Sequence, residues 1–150
     1  MARCRFVRPN TITLPLSEGD WILVKERLNA GEQRALVERS WHDTPDTAGT
    51  FHVNPTRAGL ALITAYLIDW SLTDEAGKPV TIRGCSPAEL DRILDNLEPP
   101  DYTEIRNAIN AHSERVYQAR EDEKKRASTG DNGSSTISTL PADAIGAMSG

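Results

Sequence analysis

Residues 58–82 read AGLALITAYLIDWSLTDEAGKPVTI, and the fold turns on how this stretch is divided. At 100° per residue, Leu60, Ile63, Leu67 and Trp70 fall on one side. Leu62 and Tyr66 widen that side, and Ala61, Ala65, Ile68 and Leu72 close most of the circumference. A helix apolar nearly all round belongs in an interior. From Leu60 to Leu72 it would span only ~20 Å, short of the ~30 Å hydrocarbon core of a bilayer. The expectation is therefore a buried central helix started by Asn54 and Pro55, a polar turn, and a short strand at Val80, Thr81 and Ile82.

Working outward, residues 11–16 alternate polar and apolar, which places Ile12, Leu14 and Leu16 on one face of a strand that Pro15 confines to an edge. Residues 17–20 form a turn. Residues 21–25 pair back as a hairpin in the favoured reading, although Trp21, Val24 and Leu28 also fit helical spacing. Asn29 with Glu32 has the form of a capping box and opens a helix over residues 30–42 that is expected to bury Leu36, Val37 and Trp41. Residues 43–52 read as a loop. Ser86 with Glu89 opens a helix to Leu97 burying Leu90, Ile93, Leu94 and Leu97, and Glu98-Pro99-Pro100 stops it. A third box, Asp101 with Glu104, opens a long helix with a stripe of Ile105, Ala108, Ile109, His112 and Val116. Past Tyr117 this helix turns polar on every side, with pairs such as Glu121 and Lys125, and reads as an arm in solvent.

The fold class expected is α+β and mostly α: a small helical domain over residues 1–127 with an N-terminal β-hairpin and one further strand, followed by a disordered tail over residues 128–150. That tail is rich in Ser, Thr, Gly and Ala, too poor in large apolar groups to offset the entropy of ordering it.

The net charge of −5 divides as −3 over residues 1–127 and −2 in the tail, from Asp131 and Asp143. No nucleic-acid footprint follows from it; Arg3, Arg5 and Arg8 read as a solvated N-terminal cluster. Cys4 and Cys85 offer neither a disulfide framework nor a metal spacing, and a zinc site would need a chance convergence with His42, His52 or His112. The start of the chain carries no signal-peptide pattern, so a reducing cytoplasm is expected. There is no phosphate loop, nucleophile elbow, metalloprotease motif or dinucleotide fingerprint, and the carboxylate pairs sit in turns or on helix surfaces. Composition and spacing thus do not say what the protein does; a non-enzymatic role without cofactor or metal is expected, with neither nucleic acid nor membrane as partner. His112, on an apolar stripe, reads as a hydrogen-bonded structural histidine.

The segment Asp69-Trp70-Ser71-Leu72-Thr73-Asp74-Glu75-Ala76-Gly77-Lys78-Pro79-Val80 resembles the signature of small tail assembly chaperones of long-tailed, non-contractile bacteriophages. Its family-like positions are Asp69, Trp70, Thr73, Asp74, Gly77 and Pro79. The lead-in from residues 5–9 through residues 31–34 is similar to actinobacteriophage members, and the likeness extends over roughly residues 5–117. In that family a Trp ends the central helix and a T-D-x-x-G-x-P turn follows. Gly77 and Pro79 also have a purely local reading, a positive φ and an entry to a strand edge that owes no ladder hydrogen bond.

The resemblance implies an assembly chaperone in the host bacterial cytoplasm. It would coat the aggregation-prone tape measure protein, help deliver tail tube protein, and be absent from the finished virion. A homo-oligomer is compatible with this. The alternative is a structural virion component, such as a tail or head–tail accessory protein. For the partner surface two candidates stand: the long helix, through Ile105, Ile109, His112 and Val116, and the loop of residues 43–52 beside Trp41.

Overall fold

The computed structural model describes residues 4–41 and 47–135. Strands β1 (Thr11–Pro15) and β2 (Trp21–Lys25) form the hairpin, joined by a turn at Ser17–Gly19 in which Glu18 and Gly19 both take positive φ. Helices α1 (Ala30–Ser40) and α2 (Pro55–Tyr66) follow, then β3 (Leu67–Trp70), α3 (Pro87–Asp95) and α4 (Pro99–Ser135). The sheet is antiparallel in the order β1-β2-β3. The class is thus α+β and mostly helical with an N-terminal hairpin, and Pro15 lies on an edge strand as its missing N–H requires.

The quoted stretch divides differently from its periodicity. Helix α2 ends at Tyr66, and Leu67 turns to extended backbone (φ −69°, ψ 128°) and enters β3 without an intervening loop. The third strand is therefore residues 67–70; residues 80–82 form none. The reason lies in a bulge. Ile22 pairs with Trp70, Leu23 with Asp69, and Val24 with Leu67, leaving Ile68 as the extra residue. In a regular strand, residues three apart face opposite sides. One extra residue brings Leu67 and Trp70 to the same buried face beside Ile22 and Val24. A bulged strand thus reproduces the i, i+3 spacing that looks helical, and pairing with β2 overrides local propensity.

Two capping boxes form as the sequence requires, Asn29 with Glu32 and Ser86 with Glu89, and the Asn54 side chain accepts from the N–H groups of Thr56 and Arg57. The third does not. Helix α3 ends at Asp95, and Pro99 and Pro100 begin α4 rather than stopping its predecessor. Proline is tolerated there because first-turn N–H groups have no helical partner. Glu104, freed from capping, accepts from the backbone N–H and hydroxyl of Ser17.

The chain divides into two units, Met1–Ser113 and Glu114–Gly150. In the first, the core joins Leu14, Ile22, Val24, Leu67 and Trp70 of the sheet to Ile63 and Tyr66 of α2, Leu90 and Leu94 of α3, and Ile105 and Ile109 of α4. Residues 99–113 of α4 lie along the hairpin, tied at the turn by Glu104 and at the far end by His112, whose Nε2 lies 3.1 Å from the carbonyl oxygens of both Lys25 and Glu26. At Gly59 of α2 an added Cβ would meet Arg106 Cδ at 3.1 Å, so the missing side chain lets α4 approach. Asp91 of α3 ties three helices by accepting from Arg39 at 2.7 Å and from Thr64 at 3.1 Å. Nearby, burial raises the Tyr102 hydroxyl above the usual phenol range; Arg106 opposes this, and Asp95 and Asp91 add to it.

In the second unit, α4 continues to Ser135, so eight residues of the expected tail are helical; residues 136–150 lie outside the described residues. Its surface is polar, with Lys124 bonded to Glu121 at 3.2 Å, one step closer in sequence than the expected pair with Lys125.

Candidate partner-binding surface

Three of the four α4 residues expected at a partner surface are core. Ile105 and Ile109 are sealed in the interior, and His112 is 4% exposed. Its ring meets Tyr66 edge-on, centroids 5.7 Å apart. Both acceptors of Nε2 are carbonyl oxygens, so that nitrogen carries the proton and shares it between them. These three side chains, expected at a contact surface, are buried in the domain's own core. Their spacing signals an apolar face but not which body covers it. Val116 is half-buried and its neighbour Tyr117 is exposed.

The large apolar groups left in solvent lie elsewhere. Val37, Phe51 and Val53 are each 51% exposed and Trp41 is 38% exposed. The expectation that Val37 and Trp41 are buried fails because α1, which ends at Ser40, buries none of its residues fully and sends only Leu36 toward the core. Trp41 takes extended backbone (φ −85°, ψ 155°) as the C-cap and bridges antiparallel to Val53. Asn54 donates to the Ser40 carbonyl at 2.9 Å, and Arg57 to the Trp41 carbonyl at 3.1 Å. Val37 precedes Trp41 by one helical turn, and Phe51 precedes Val53 by two residues of extended chain. Trp41 and Val53 are thus cross-strand neighbours, and Val37 and Phe51 lie near them in the chain, which makes the α1–α2 junction a band of exposed apolar groups. His42 and the loop residues 43–46 lie outside the described residues; the rest of that loop, 47–52, runs into the band.

The turn that carries the family resemblance is a structural unit. Trp70 is buried and its indole N–H donates to the Val80 carbonyl at 2.8 Å, so it anchors the end of a strand rather than of a helix. Asp69 accepts from its neighbour's N–H at 2.9 Å and pairs with Arg83 at 3.3 Å. Thr73 bridges Pro79, and the Asp74 carboxylate accepts from the N–H groups of Ala76 and Lys78, both at 2.9 Å. Gly77 has φ +76°, the left-handed value its position demands. The polar groups of Asp74 are consumed in holding the turn, as Asx chemistry does.

Among the described residues no group of three or more His, Cys, Asp or Glu side chains is placed to hold a metal ion, and no helix is long and apolar enough to cross a membrane. Comparison of the chain with family models, curated proteins and solved structures yields no match.

Proposed function

We propose that this protein is a non-enzymatic tail assembly chaperone of a long-tailed phage, acting in the host cytoplasm and binding the tape measure protein through the apolar band of Val37, Trp41, Phe51 and Val53. The observation that carries the reading is this band: four large apolar groups at one junction stay partly in water, as do Phe6, Ile12, Trp21 and Tyr117 elsewhere in the chain. Contiguous exposed apolar surface marks interaction sites. An amphipathic helix of a long helical client can lay its apolar stripe on such a surface, Trp41 acting as the aromatic anchor. The resemblance over residues 69–80 supplies the family.

The test is co-expression with the tape measure protein of the same genome. Wild-type chain should raise the soluble fraction of that protein. The double variant Trp41→Gln/Phe51→Gln should stay folded, with at most a modest drop in melting temperature, and lose this effect, since both side chains are only partly covered and lie outside the core. A Val116→Glu variant reads the distal helix separately and should remain active. If the double variant is as effective as wild type, or wild type has no effect, the reading fails. Stoichiometric amounts of the chain in purified particles would instead favour the virion component.

A further inference from the structure

The face of the sheet opposite the core carries a cleft of about 370 Å³. Its apolar surface comes from Val7, Pro9 and Ile68, and its charged rim from Arg8, Lys25, Arg27 and Glu32. The fold assembles it from segments that are distant in sequence. Asn10 donates to the Arg8 carbonyl at 2.8 Å and accepts from the Glu26 N–H at 2.9 Å, so the chain leading into β1 is tied beside the end of β2. Thr11 and Lys25 are direct cross-strand partners, and Ile68 is the bulge residue of β3.

The charges do not balance. Glu32 pairs with Lys25 and also holds the N-terminus of α1. Neither Arg8 nor Arg27 has a hydrogen-bonding or ionic side-chain partner among the described residues. Two uncompensated guanidinium groups therefore rim an apolar cleft on a chain whose net charge is −5. Guanidinium forks match carboxylates in bidentate geometry. A bare anion, or the phosphate backbone of a nucleic acid, would leave the apolar surface unused. The volume lies at the small end of ligand pockets, roughly 300–1,000 Å³, enough for a side chain or two.

We propose that this cleft binds an acidic, aliphatic peptide segment, with a carboxylate between Arg8 and Arg27 and an adjacent Leu-, Ile- or Val-type side chain on Val7, Pro9 and Ile68. The inference is independent of the chaperone reading and of the Trp41 band. The side chains of Arg8 and Arg27 are exposed and make no bond that holds the fold, so replacing them isolates recognition from stability.

The test is fluorescence anisotropy of a labelled synthetic peptide alternating Glu and Leu, beside the same peptide with Gln for Glu. The chains are the wild type, Arg8→Gln, Arg27→Gln and the double variant. Each single variant should weaken the acidic peptide about two- to five-fold, the range for one exposed ion pair, and the double variant more. Melting temperatures should stay unchanged. The Gln peptide should bind more weakly and be indifferent to both substitutions, and the acidic peptide should weaken between about 50 and 500 mM salt. Absence of binding, equal binding by the double variant or by the Gln peptide, or displacement by inorganic phosphate at the peptide's own concentration would each overturn the proposal.

Discussion

His112→Ala should cost about 2–4 kcal/mol of folding free energy, out of the ~5–15 typical of a domain this size. The magnitude follows from what the ring does. Its single Nε2 proton serves two carbonyl oxygens at the end of β2, both at 3.1 Å, and leaving buried acceptors unserved costs about 1–3 kcal/mol. The edge contact with Tyr66 adds about 0.5–1.5 kcal/mol, and the emptied space adds a cavity term. His112→Phe separates these contributions. It keeps the ring volume and the Tyr66 contact but donates to neither carbonyl, so it should lose about 1–3 kcal/mol. His112→Gln, whose amide can donate, should recover part of that. Equilibrium urea unfolding followed by tryptophan fluorescence reads all three, with buried Trp70 as the reporter and m-values held constant. If the Phe variant matches wild type, the hydrogen bonds hold nothing. If the Ala variant loses less than about 1 kcal/mol, His112 is not part of the core, and α4 is not clamped to the hairpin as described.

Gly77→Ala should lower stability by about 1–2 kcal/mol, because a Cβ there has nothing within 4 Å and only the φ of +76° opposes it; a neutral result in thermal unfolding would mean that the turn backbone relaxes freely. The Tyr102 hydroxyl should titrate above the usual phenol value of about 10. The folded state holds that proton more tightly than the unfolded chain does. The associated stability is therefore complete below pH ~10 and lost as pH rises through the folded value. Absorbance near 295 nm, wild type minus Tyr102→Phe, shows it directly, and a difference midpoint at or below 10 would contradict the burial.

Local chemistry decided much of this protein from the sequence alone. The Asn29, Asn54 and Ser86 caps act within three residues of chain, and the hairpin needs only the alternation of Ile12, Leu14 and Leu16, the Pro15 edge and a polar turn. The Asp74–Gly77 turn is likewise settled by one short side chain and one residue able to take positive φ. What the sequence left open were matters of which surface covers which. Residues 67–70 satisfy a helical period and a bulged strand equally, and only the presence of Ile22 and Val24 across the sheet selects the strand. The stripe of Ile105, Ile109 and His112 states that one side of α4 is apolar; that the hairpin covers it depends on contacts some ninety residues away in sequence. For Val37 and Trp41 the position was reversed. Val37 and Trp41 look like core in their own segment, but α1 meets the domain through Leu36 and nothing among the described residues buries their other face; Phe51, in a stretch read as a loop, and Val53 carried no such expectation. Hydrophobic patterning fixes which residues avoid water, because that is a property of each side chain. Where the chain runs out of its own surface to cover them is a property of the whole fold.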